Sequence, residues 1–186
     1  MPSFVSDALS RVLSGESLSR DDALRLWDAP AEELFDAART ITRRMAPRAF
    51  NFCSIVNAKS GRCTEDCRWC AQSRHFRTDA PEYPLIDEKT ALEAARRTEA
   101  AGIPRFSFVT SGRKLSPREV RDLAQLVRAV RRETSVEVCV SAGLLKEEEL
   151  RLLRDAGVVR YHCNLEASPD YFPKVCSSHT TKDKID

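Results

Sequence analysis

Long apolar runs are missing from this sequence of 186 residues. Nowhere do about 18 apolar residues follow one another, the length needed to cross a bilayer as a helix. The opening stretch, MPSFVSDALSRVLSGESLSRDDA, has neither the basic start nor the uninterrupted apolar segment of an export signal. An excess of one charge is missing too: 30 Lys and Arg stand against 28 Asp and Glu, a net charge of +2. With the two signs interspersed, neither a nucleic-acid groove nor a membrane-surface patch is indicated. The even cysteine count of a secreted disulfide framework is also missing. The seven cysteines suit a reducing compartment, so a cytoplasmic location is expected. At this length the chain can bury one sizeable core.

What is present is concentrated between Asn51 and Gln72, NFCSIVNAKSGRCTEDCRWCAQ, where Cys63, Cys67 and Cys70 fall within eight residues behind a glycine turn. Thiolates at this spacing can converge on one polymetallic centre, as closely spaced cysteines do in iron–sulfur proteins. Three ligands instead of four leave one iron of a cubane without a protein ligand. A coordination position then stays free for a small molecule, the distinction that separates catalytic from structural zinc sites. The competing readings are a zinc knuckle completed by His75 or Cys53, and ordinary buried thiols. Close-set cysteines in a polar, charged, glycine-containing loop are poor core material, which counts against the last.

The CxxxCxxC spacing with Trp69 just before its last cysteine resembles the cluster loop of the radical S-adenosylmethionine (SAM) superfamily. The wider wording, SIVNAKSGRCTEDCRWCAQS, followed by PRFSFVTSGR, VCVSAGLL and YHCNLEAS, resembles the biotin synthase family from about Phe50 to the end. That resemblance implies a [4Fe–4S] cluster on Cys63, Cys67 and Cys70 with SAM chelating the fourth iron. It implies reductive cleavage of SAM to a 5′-deoxyadenosyl radical, and sulfur insertion that converts dethiobiotin to biotin. It further implies an electron donor such as flavodoxin or ferredoxin, and a homodimer as the full-length protein. Asn164 and Glu166, in YHCNLEAS, match the Asn and acidic residue that contact SAM and dethiobiotin in the family. A carboxylate at a strand end can accept both ribose hydroxyls, and an Asn can both donate to and accept from a ureido ring or an amino-acid moiety. Trp69 would flank the adenine. The plainer roles are Glu166 facing solvent, Asn164 capping a loop and Trp69 packing the loop.

The resemblance also implies an auxiliary iron–sulfur cluster with ligands on barrel strands, and here the sequence departs from the common form. The strand-two position is Ser107, the strand-three position is kept as Cys139, and Cys53 and Cys163 stand on the expected first and fourth strands. This resembles the variant form of the family in anaerobic organisms, with Cys139, Cys53 and Cys163 as candidate ligands. The alternative is that they are inert core thiols. Cys176, in PKVCSSHT, is a loop residue near the site or a bystander.

Apolar periodicity predicts three N-terminal helices: one over 6–13, one carrying Ala23, Leu24, Leu26 and Trp27 on its apolar face behind a Ser19–Asp22 cap, and one over 31–45 with Leu34, Phe35, Ala38, Ile41 and Met45 on one side. Residues 1–48 are thus an N-terminal helical extension, a cap on the barrel in the family resemblance. From 49 the period changes: strands are expected over 50–57, 105–110, 136–141 and 159–165, with helices over 87–101, from Ser116-Pro117, and over 146–156. Strands alternating with helices predict an α/β fold of parallel βα units, a (β/α) TIM-type barrel over 49–186, with functional residues at the strand ends. A complete barrel usually needs about 250 residues, so only its first half, about four to five βα units, is expected. The chain would then be a truncated piece, the favoured reading, or a half-barrel completed by another copy. Its apolar edge would promote association. Two further functional readings stand beside sulfur insertion. One is a non-catalytic or truncated iron–sulfur-binding paralogue. The other is a different radical SAM enzyme, such as the hydrogenase-maturase or methylornithine-synthase relatives, against which HCNLEAS and Cys139 argue.

Overall fold

Polar side chains that satisfy free backbone N–H groups decide where the first helices begin. In the computed structural model, which describes residues 3–47 and 50–186, α1 (Phe4–Leu13) starts at Ser3, whose hydroxyl accepts from the Ser6 N–H. Helix α2 (Arg20–Trp27) starts at a reciprocal Ser19–Asp22 capping box, and α3 (Ala31–Met45) follows Pro30. Each such cap contributes about 1 kcal/mol. Helix α1 packs on α2 and α3, and the Arg11 guanidinium grips both carboxylate oxygens of Asp22 at 3.2 and 3.0 Å. Only α1 contributes fully buried side chains, Val5 and Ala8. Leu24, Trp27, Phe35 and Met45, expected on buried faces, are exposed, Trp27 by 87%. A unit of three short helices is too shallow to sink every apolar stripe it carries.

The chain divides into two compact units, Met1–Phe50 and Asn51–Asp186. The boundary expected between residues 48 and 49 lies outside the described residues. In the second unit the order is β1 (Cys53–Lys59), α4 (Glu88–Ala100), β2 (Arg105–Thr110), α5 (Pro117–Glu133), β3 (Glu137–Ser141), α6 (Glu147–Asp155) and β4 (Val158–Tyr161), followed by the short helices α7 (Phe172–Val175) and α8 (Thr181–Ile185). The four strands pair in sequential order, all parallel. That is the arrangement of the first half of a (β/α) barrel. Its register sets Ile55, Ser107, Cys139 and Arg160 side by side.

Alternation along each strand separates two faces. Phe106, Phe108, Val138 and Val140 pack with Leu123, Val127 and Val130 of α5 and with Ala91 and Ala95 of α4 in one continuous core. Two strand limits differ from expectation by three residues or more. Strand β1 begins at Cys53 instead of Phe50, because Phe50 and Phe52 alternate like strand residues but lie exposed. Strand β4 ends at Tyr161 instead of Leu165, one residue before the last ladder bond, His162 N–H to the Val140 carbonyl at 2.8 Å. Cys163 is therefore not a strand residue: Cys163, Asn164 and Glu166 lie in the loop beyond. Among the described residues, no helix is long and apolar enough to cross a membrane.

Candidate metal centre

The cysteine loop begins where β1 runs out. Gly61, at φ 76°, makes the turn, and a Cβ there would come within 2.6 Å of the Glu82 side chain. The turn is held by Gln72, whose Oε1 accepts from the Ser60 hydroxyl at 3.0 Å and the Gly61 N–H at 2.5 Å. Ser111, just past β2, donates to the Gly61 carbonyl at 2.7 Å. Within the loop the Cys63 N–H donates to the Gln72 carbonyl, and the Arg74 N–H to the Cys63 carbonyl, both at 2.9 Å. The Cys70 N–H closes on the Cys67 carbonyl at 3.0 Å. These backbone bonds fix the path of the loop that carries the three thiols. Cys63 is buried, Cys67 and Cys70 half-buried, and none is in a disulfide.

All three thiols line one cavity of about 310 Å³ at the C-terminal ends of the strands, shared with Trp69, Cys163, Asn164 and Glu166. That is the low end of small-molecule sites. Trp69 stands edge-on to Phe172, with centroids 5.7 Å apart. Glu166 sits at φ 67°, a left-handed turn that ends the post-β4 excursion. The loops after β2 and β3 close on one another through Gly143, where a Cβ would come within 2.0 Å of the Arg113 carbonyl oxygen. Burial pushes the Cys63 thiol above its ordinary pKa. Burial, then the contact with Cys176, pushes Cys67 up to about 12. Without a cation these thiols are neutral near pH 7, and a bound metal is what stabilises the thiolate.

The strand cysteines are arranged differently. Cys139 is buried beside Ser107, whereas Cys53 opens β1 and is exposed. Burial, and after it the charge of Cys53, pushes the Cys139 thiol above its ordinary pKa. Cys163 lies at the loop end, exposed, with its Sγ 4.0 Å from the Lys184 carbonyl. Cys53 lies two residues before the Ile55–Arg160 row on the β1 edge, whereas Cys163 follows β4 in the loop and lines the cavity of Cys63, Cys67 and Cys70.

Cys176, expected as a loop residue near the site or a bystander, is buried at the end of α7 against Cys67, and several other residues at the site carry no expectation from the sequence. Asp66, between the cysteines, accepts from the Ser177 N–H at 2.9 Å, the Ser178 N–H at 3.0 Å and the Ser177 hydroxyl, tying the loop to the 176–179 segment. These bonds, the Ser177 hydroxyl first, hold its carboxyl well below the usual range. Glu65, buried, meets His179 Nδ1 at 2.7 Å and accepts from the Ser178 hydroxyl at 2.9 Å. Arg113 donates to the Ser178 carbonyl at 2.9 Å. Cys176 Sγ is 3.6 Å from Cys67 Sγ. The local signal for this segment was the Cys-x-x-His spacing of Cys176 and His179. His75, a knuckle candidate, instead has its Nε2 2.9 Å from the Thr64 carbonyl.

At the strand ends of a parallel half-barrel three thiols line one cavity, and the chain belongs to the radical SAM superfamily: the model described as "Radical SAM superfamily" matches residues 58–186. Within it, the chain is 49% identical over 182 residues to "Biotin synthase 2" of Corynebacterium diphtheriae, covering 97% of this chain and 55% of that protein. It is 44% identical over 177 residues to a biotin synthase of Porphyromonas gingivalis, covering 95% and 54%. The chain spans about half the length of the curated relatives it matches. Among solved structures, the FeFe-hydrogenase maturase HydG of Carboxydothermus hydrogenoformans superposes with a TM-score of 0.76 at 16% identity, covering 95% of this chain and 42% of that one. At that identity the likeness is one of fold.

Proposed function

We propose that this chain holds the SAM-cluster half of a sulfur-inserting radical SAM enzyme of the biotin synthase type, acting on dethiobiotin. The observation that carries the reading is that Cys63, Cys67 and Cys70 line the same cavity as Asn164 and Glu166. The residues fit the implied groups: three thiols outside any disulfide, with Asn164 and Glu166 on the lining of the same cavity. A [4Fe–4S] cluster on these cysteines supplies a low-potential electron and one open iron position for SAM. The chain's own residues then do the positioning. Glu166 accepts from the ribose hydroxyls, Asn164 donates to and accepts from the amino-acid moiety or the ureido ring, and Trp69 flanks the adenine. Cys139 with Cys53 is the better placed pair for an auxiliary iron–sulfur cluster, and Cys163 belongs with the SAM cavity. A flavodoxin or ferredoxin as electron donor, a homodimer of the full-length protein, a cytoplasmic location and a division into a helical extension (1–48) and a partial barrel (49–186) complete the proposal.

Anaerobic reconstitution tests it. The chain should take up about four irons and four sulfides that depend on Cys63, Cys67 and Cys70, over and above any iron held at Cys139 and Cys53, and its visible and electron paramagnetic resonance spectra should change when SAM is added. A chain that binds zinc alone, or whose cluster ignores SAM, overturns the reading.

A further inference from the structure

One sulfur of the cysteine loop belongs to a second, tighter constellation. Ligand atoms of Cys67, Cys176 and His179 all lie within 4.8 Å of one another, with Cys176 and His179 buried. A tetrahedral zinc ion with Zn–S of about 2.3 Å and Zn–N of about 2.0 Å separates two thiolates by about 3.8 Å and a thiolate from an imidazole nitrogen by about 3.5 Å. Here Cys67 Sγ and Cys176 Sγ are 3.6 Å apart, and Cys176 Sγ and His179 Nδ1 are 3.3 Å apart. Cubane ligands, each on its own iron, are spread more widely than this.

The polar inventory around the trio points the same way. His179 Nδ1 faces three acceptors, Glu65 Oε2 at 2.7 Å, Cys176 Sγ at 3.3 Å and Ser178 Oγ at 3.4 Å. Cys176 Sγ faces Asp66 Oδ1 at 3.3 Å and Ser178 Oγ at 3.6 Å besides Cys67 and His179. In the metal-free chain the Cys67 thiol donates to Cys176, the Cys176 thiol to Asp66 and the Ser178 hydroxyl to Glu65. A divalent cation can take the place of the two thiol protons among the same sulfur and nitrogen atoms, and the Glu65 carboxylate, buried beside Nδ1, is the nearest fourth donor. His179 and Cys67 both line the cavity, which gives an ion a way in.

The geometry points to a mononuclear site for a zinc-like divalent cation on Cys67, Cys176 and His179, completed by Glu65, that forms in the cluster-free chain and excludes the iron–sulfur cluster because both need Cys67. Binding displaces the thiol protons of Cys67 and Cys176 to solvent, while the Nδ1 proton of His179 passes to Nε2 and leaves Nδ1 free to ligate. The exclusion rests on the reading of Cys67 as a cluster ligand; the zinc site does not.

The test uses the full chain, stripped of metal anaerobically and titrated with Zn²⁺ or, as a coloured probe, Co²⁺. One equivalent should bind, with thiolate-to-cobalt absorption and tetrahedral d–d bands. Cys176→Ser and His179→Gln should each weaken binding tenfold or more, while Cys63→Ser, Cys70→Ser and His75→Gln leave it unchanged. Zn²⁺ should raise the melting temperature of the wild type and not of Cys176→Ser or His179→Gln, and circular dichroism of both variants separates ligand loss from misfolding. Binding that survives Cys176→Ser, or that disappears with Cys63→Ser or Cys70→Ser, overturns the site. In the competition arm, preloaded Zn²⁺ should block iron uptake by the wild type but not by Cys176→Ser, which should still take its full iron. Equal blocking in both overturns the exclusion. A wild type that takes no iron even without zinc overturns the cluster reading and, with it, the exclusion, while the zinc titration is decided on its own result.

Discussion

The same strands show two faces built on opposite principles. Under the helices, Phe106, Phe108, Val138 and Val140 are sealed to 1% exposure or less. On the other face the row is open at its edge strands, with Ile55 68% exposed and Arg160 exposed, and carries polar and thiol groups at its centre, where Ser107 and Cys139 are buried. The first face folds the chain and carries no chemistry. The second, with the loops at its C-terminal edge, holds the groups that can react and adds little to stability. A parallel half-barrel can keep the two apart because side chains alternate strictly and the loops emerge at one end.

That separation can be broken, and the largest effect should come at the loops. Replacing any of Cys63, Cys67 or Cys70 with Ala should abolish the reconstituted cluster, while the thermal unfolding of the metal-free chain shifts little. Iron analysis beside a melting curve checks both halves. A cysteine variant that keeps its cluster, or that unfolds the chain, would blur the comparison. Next in size, Leu123→Ala, in the fully buried core, should cost about 2–5 kcal/mol in denaturant unfolding. Iron uptake per folded molecule should stay at the wild-type level.

Much of the stable face was legible beforehand, because its signals are local. Ser19–Asp22 reads as a cap and folds as a capping box, the helix expected from Ser116-Pro117 begins there, and the β2 run from Arg105 to Thr110 begins and ends where periodicity puts it. The errors come where apolar alternation is not backed by burial, at Phe50 and Phe52 before β1, or where a β-rich run such as HCNLE leaves the sheet once it lacks partners. Helix α7 was not foreseen, since four residues carry no period. Least legible was the partnership of Cys67 with Cys176, which joins residues 109 apart. Only the tertiary fold brings them together, and a Cys-x-x-His spacing alone does not say what it faces.

A smaller effect sharpens the boundary between the faces. Glu119 caps α5 through Ser116 and holds Lys59, the last residue of β1, at 2.6 Å. Partial burial opposes ionisation, but the Lys59 ammonium and the Ser116 donors outweigh it, and the Glu119 carboxyl lies below its ordinary 4.5. A lowered folded-state pKa contributes stability that is present above the ordinary value and lost as pH falls through the folded one. Glu119→Gln should therefore lower stability by about 1 kcal/mol at neutral pH, and the gap to wild type should close below pH 4.5. Melting curves across pH decide it; a gap that persists in acid would assign the effect to packing.

The smallest expected effect lies on the open face itself. Cys53 is exposed at the first position of β1, so Cys53→Ala should change stability by less than about 0.5 kcal/mol. Its value as a probe is chemical. The charge of Cys53 bears on Cys139, Ser107 offers a neutral hydroxyl where a thiolate would be far better for iron, and Cys163 lies in the loop after β4. A chain with Cys63, Cys67 and Cys70 all replaced by Ala isolates iron held elsewhere. In that background, iron and sulfide counting after reconstitution should find a residual that falls with Cys139→Ala and with Cys53→Ala, and is untouched by Ser107→Ala or Cys163→Ala. No residual, or one indifferent to Cys139→Ala and Cys53→Ala, would return both thiols to the packing of an ordinary strand and make the open face as chemically silent as the sealed one. A residual that falls with Cys163→Ala instead would mean that the loop end, and not the strand interior, gathers the second set of ligands.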